Sequence, residues 1–170
     1  MNTSADQTNR RILVIANDSC VYECFRAILR PDTDRGALDE AEARLFGEKP
    51  PTRRTSGFAM DFAYRGEEAI ESIRAALNKG EPYALAFVDM CMPRGIDGIE
   101  TITRLWELDA NLQVVICTAH FDYAWGDLTR LGGSDRLLIL KKPFNAAEVR
   151  QMAELLCTKW ELLRRGPASP

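Results

Sequence analysis

Four places in the chain carry side chains whose chemistry would depend on company. Asp89 ends the apolar run YALAFVDM, Thr118 stands near the end of LQVVICTA, Lys142 precedes Pro143 shortly after LLIL, and Asn17 with Asp18 follows ILVIA. A carboxylate, a hydroxyl and an ammonium group brought together suit an acyl phosphate. The carboxylate attacks phosphorus while the lysine and hydroxyl bind the phosphoryl oxygens as negative charge redistributes. Phosphoryl transfer also calls for a divalent cation, normally Mg2+ held by one or two carboxylates with waters, and Asp89 and Asp18 are the carboxylates on offer. Taken singly, each residue has a plainer explanation. A strand-end Asp often caps a helix, Lys-Pro is a common dipeptide, and a strand-end Thr usually satisfies backbone groups. Their order along the chain is more specific than any one of them.

The elements that would position these groups alternate. Residues 12–16 read as a strand covered on both faces, followed by capping side chains at Asn17, Asp18 and Ser19. A helix then carries Val21, Cys24, Phe25, Ile28 and Leu29 at helical spacing up to Pro31. Phe58 to Tyr64 is a second strand, and the next helix shows a stripe of Ile70, Ile73 and Leu77 ending at Gly80. Beyond the strand that ends at Asp89, a helix turns Ile99, Ile102, Leu105 and Trp106 inward, and the strand carrying Thr118 follows. A weakly patterned helix is expected over Asp122 to Leu131, then the strand LLIL. The last helix carries Val149, Met152, Ala153, Leu156, Cys157, Trp160 and Leu163. Five strands alternating with five helices predict an α/β fold, a doubly wound parallel sheet with right-handed crossovers, whose functional groups gather beyond the carboxyl ends of the central strands.

Composition narrows the function. At 170 residues, 46% hydrophobic and 28% charged, the chain is one globular domain with no apolar stretch near the roughly 20 residues of a membrane span. The expected division is a disordered lead over 1–10, a domain over 11–165 with a surface insertion at 31–57, and a tail over 166–170. A net charge of -3 without a basic cluster argues against nucleic acid. The single histidine, His120, removes His-rich metal sites and reads as a loop residue. Five scattered cysteines suit a reducing cytoplasm, with Cys20 and Cys24 expected on a buried helical stripe. A nucleotide or flavin binder would need a Gly-rich turn after the first strand, where this chain has NDSC.

Over roughly residues 11 to 160 the chain resembles the receiver domain of two-component response regulators. The resemblance rests on RILVIANDS, on FVDMCMP with DG shortly after, on VICTA and on LKKPF. It implies a flavodoxin-like (βα)5 fold and a signalling domain rather than an enzyme. It further implies Asp89 as phosphoacceptor, Thr118 as the family's hydroxyl residue, Lys142 as its lysine, and the carbonyl of Cys91 as a ligand to Mg2+. Receivers usually end the first strand with two adjacent acidic residues that hold the metal. Aligned without gaps from Arg11, those positions are Ala16 and Asn17, and Asp18 falls one place later. Metal affinity should fall accordingly, with Asn17 offering a carbonyl oxygen and Asp18 reaching the cation through a water. Ile139 stands where many receivers carry an aromatic side chain that follows the hydroxyl.

Two functions are therefore expected to compete. In the first, Asp89 accepts a phosphoryl group from a histidine kinase or phosphotransfer protein in a two-component pathway or phosphorelay, switching an interaction face. In the second, the same fold is a pseudo-receiver that binds partners independently of phosphorylation. Output would come from an effector protein or from an effector region outside these 170 residues. Trp160 and Leu163 are the residues that would face a partner, including a second copy of the chain.

Overall fold

The computed structural model describes residues 9–29, 57–119, 126, 131–132 and 135–166. The elements are β1 (Arg11–Ile15), α1 (Ser19–Leu29), β2 (Ala59–Ala63), α2 (Gly66–Asn78), β3 (Leu85–Asp89), α3 (Gly98–Leu108), β4 (Gln113–Thr118), β5 (Leu137–Lys141) and α4 (Ala146–Arg165). The strands form one parallel sheet in the order β2-β1-β3-β4-β5. This is the flavodoxin-like arrangement expected from the sequence, with strand limits within one or two residues of the apolar runs. The helix expected over Asp122 to Leu131 lies outside the described residues except for Gly126 and Leu131, as do His120 and all of the 31–57 insertion but Gly57.

Alternation along each strand divides the core in two. Leu13, Ile15, Ala86, Val88, Val114 and Ile116 face α2 and α3, where Ile73, Ile102, Leu105 and Trp106 cover them. Ile12, Val14, Leu85, Phe87, Val115 and Cys117 face the opposite layer, where Phe25 of α1 and Val149, Leu156 and Trp160 of α4 are buried. β3 and β4 are buried along their whole length, whereas the edge strand β2 alternates. That difference is the reason the central strands read as continuous apolar runs and β2 does not. Burying each large side chain in these layers contributes about 1.5–3 kcal/mol.

Local signals set the helix starts. Asn145 and Glu148 form a reciprocal capping box at α4, and the Asp97 side chain accepts the Glu100 N–H at α3. Gly66 starts α2 with no room for a Cβ, which would collide with Thr101 Oγ1 and come within 2.6 Å of Ile96. This close approach brings the start of α2 against α3 and the segment after Asp89.

Three sequence expectations need correction. Cys20 and Cys24 are exposed, since α1 turns Phe25 and Leu29 inward and leaves both thiols on its outer side. Trp160 is buried under the Arg164 guanidinium, 4.8 Å from the ring centroid, leaving Leu163 as the exposed member of the proposed pair. Asn9 and Arg10 are anchored rather than part of a loose lead. Asn9 donates its N–H to Glu161 and its side-chain amide to the Pro82 carbonyl, and Arg10 pairs with Glu154.

Candidate functional site

Asp89 is the last residue of β3, and its strand neighbours on both sides fix where it stands. The β3–β4 register pairs it with Cys117, the residue before Thr118, and the β4–β5 register pairs Thr118 with Lys141, the residue before Lys142. Lys142 N–H donates to the Thr118 carbonyl at 2.8 Å, and Met90 N–H donates to the Cys117 carbonyl at 3.1 Å. Two residues beyond Lys142, Phe144 stacks on Phe25, whose ring also meets Phe87 of β3. Packing across three elements thus holds the Lys142 turn over the end of β3.

Asp89 is only 5% exposed. Its Oδ2 accepts a hydrogen bond from Lys142 Nζ at 2.6 Å, and its Oδ1 accepts the Cys91 N–H at 3.0 Å. At an effective dielectric of 20, unit charges about 4 Å apart attract by about 4 kcal/mol, while each buried ion loses several kcal/mol of hydration. The pair therefore adds little net stability, but removing either partner leaves a costly remainder. Thr118 is 7% exposed and lies one residue beyond Asp89's cross-strand partner. Beneath them the Cys117 thiol is pushed up to about 12, first by burial and then by the Asp89 charge, with Lys142 opposing. Cys91 is exposed beside Asp89.

The exit of β1 is built differently. The register pairs Ile15 with Val88, so the next residue, Ala16, comes level with Asp89 and is wholly buried. Asn17 and Asp18 are exposed. Asp18 Oδ1 accepts the Cys20 N–H at 2.8 Å, an N-cap for α1 that fixes this carboxylate outside the Asp89–Lys142 pair's hydrogen bonds. The Asp18 hydrogen bond, and after it the Asp18 charge, raise the Cys20 thiol above its ordinary value.

Asp89, Thr118 and Lys142 are thus carried to one end of three adjacent strands, and Asn17 and Asp18 to the same end of a fourth. Sequence reasoning missed the work of Phe144, whose place in the aromatic cluster depends on contacts far apart in the chain. It also left undecided whether Asp18 caps a helix or serves a cation, and the 2.8 Å contact shows the cap.

A parallel sheet ordered 2-1-3-4-5 with a carboxylate and a lysine paired across its carboxyl end defines a receiver-type signalling module. Residues 52–154 match the family model of the response regulator receiver domain. The chain belongs to that family, whose members signal rather than catalyse. Solved structures agree on the fold. The signal receiver domain of an HD domain-containing protein from Pseudomonas fluorescens Pf-5 is 13% identical at a TM-score of 0.67, covering 98% of this chain and 100% of that one. A response regulator receiver protein from Sinorhizobium medicae WSM419 is 19% identical at 0.60, covering 88% and 95%. The signal receiver domain of a modulated diguanylate cyclase from Desulfovibrio desulfuricans G20 is 20% identical at 0.59, covering 90% and 97%. No curated protein matches the chain.

The family typically binds Mg2+, and the residues at this site do not fit that ion well. A hard dication requires several oxygen donors and a surplus of negative charge. Asp89 has both oxygens engaged, one of them by an ammonium group, and β1 offers a methyl group, a neutral amide and a carboxylate that caps α1. Among the described residues, no three His, Cys, Asp or Glu side chains form a group that could hold a metal.

Proposed function

We propose that the chain is a phosphoacceptor receiver of a two-component pathway or phosphorelay, with Asp89 as the acceptor. The observation that carries this reading is the 2.6 Å contact between Lys142 Nζ and the buried Asp89 carboxylate. The donor is a phosphohistidine on a histidine kinase or phosphotransfer protein. An Asp89 oxygen attacks phosphorus, the P–N bond breaks, and the imidazole leaves with that electron pair. The phosphoryl group then carries the negative charge outward. Lys142 follows it and Thr118 supplies a hydroxyl, so strain enters β4 and β5 and an interaction face read by an effector shifts its population. Such a pathway is cytoplasmic, and no described helix is long and apolar enough to cross a membrane.

A second reading, a phosphorylation-independent interaction module, is favoured by the β1 exit, where Ala16 and Asn17 provide no carboxylate. Incubation with phosphoramidate or acetyl phosphate followed by intact mass measurement separates the two. A single added phosphoryl group that is absent from Asp89→Asn supports the first reading. No adduct under forcing conditions, with or without Mg2+, leaves the second.

A further inference from the structure

We infer that the site is built without a divalent-cation position, the charge of its one engaged carboxylate being balanced inside the chain by Lys142. The inference concerns the charge of the pocket and stands whether or not Asp89 accepts a phosphoryl group.

Three successive residues just past β1 and both oxygens of Asp89 carry it. The residue that comes level with Asp89 is Ala16, fully buried, and its methyl group has no electron pair to donate to a cation. Asn17 carries no charge and is exposed. Asp18, the carboxylate that follows β1 in the chain, spends an oxygen on the Cys20 N–H, where it meets the positive end of α1. At Asp89, Cys91 N–H and Lys142 Nζ hold one oxygen each, at 3.0 and 2.6 Å. A dication arriving there would meet an ammonium group already in hydrogen-bond contact with its best ligand, and among the described residues no three His, Cys, Asp or Glu side chains group to offset the two positive charges. The ionic state of the pocket is consequently set by the Asp89–Lys142 pair and is insensitive to Mg2+ concentration.

The test is a titration of the 15N-labelled full chain with MgCl2, following the amide of Cys91, which reports directly on Asp89 through its hydrogen bond. The unaltered protein should show no saturable shift at millimolar Mg2+. Asn17→Asp, at an exposed position that leaves the core untouched, and Ala16→Asp combined with Asn17→Asp should both gain one. A saturable Cys91 shift in the unaltered protein overturns the inference. So does the absence of any gain in Asn17→Asp while its far-ultraviolet spectrum and melting temperature match those of the parent, because the missing β1 charge would then not be the reason. No phosphoryl donor is present, so the result is independent of the mass experiment above.

Discussion

The exits of β3 and β1 lie at the same end of one sheet and both present an aspartate, yet the two carboxylates serve different ends. Asp89 is buried, paired with an ammonium group and bonded to the amide two residues on. Asp18 is exposed and bonded to the amide two residues on, with α1 starting beneath it. The local motif is shared, an aspartate accepting from residue i+2. Burial and the presence of Lys142 separate a carboxylate held in an ion pair from one that caps a helix. The lesson is that position at a strand end supplies geometry, while the charges assembled around it determine the chemistry.

The largest expected effect breaks the β3 side. Lys142→Met leaves a buried carboxylate without its counter-ion and should destabilise the fold by about 3 kcal/mol, measured by urea denaturation. Asn17→Ala, the matching change at the β1 exit, should stay within about 0.5 kcal/mol because its side chain is exposed. Equal losses would abolish the distinction. On the β1 side, Asp18→Ala should cost about 1 kcal/mol through the lost cap, whereas Asp18→Asn keeps an accepting oxygen and should cost only a few tenths. The smallest effects are read on the thiols. Asp18→Ala removes both the hydrogen bond and the charge that raise the Cys20 thiol, so iodoacetamide at mildly alkaline pH should label Cys20 faster than in the parent. Asp89→Asn also removes a raising influence on Cys117, yet that thiol should remain unlabelled in the folded protein because burial is the larger cause.

Cys117 also fixes the sign of one pH dependence. Its thiol is pushed up to about 12 in the folded chain, against roughly 8.5 when unfolded. Its contribution to stability is therefore whole below the unfolded value and is lost as the pH rises towards the folded one. Melting temperature should fall along this alkaline limb, and less steeply in Cys117→Val.

The fold was legible because buried parallel strands write themselves as uninterrupted apolar runs, as in LAFVD and QVVICT, with helical stripes between them. The meeting of Asp89 with Lys142 was legible for the same reason, since strand ends in such a sheet converge. What escaped was settled by contacts between distant residues. Cys24 fits a helical stripe by spacing, but the arrangement of Phe25 against Phe87 and Phe144 sets the rotation of α1 and turns the thiol outward. Asn9 and Arg10 look like a polar lead until Glu161 and Glu154, two turns apart on α4, accept them.

That grip on α4 also decides where cargo can be attached. The chain enters β1 beside the far end of the last helix, whereas Asp89 sits at the opposite pole of the sheet, about 16 Å away along a five-residue strand. A domain spliced ahead of Asn9 or behind Arg165 would thus join the fold at the pole away from Asp89. The carboxyl end of β1 and the first turn of α4 both reach that pole, the one through Ala16 level with Asp89, the other just after Lys142 and Phe144.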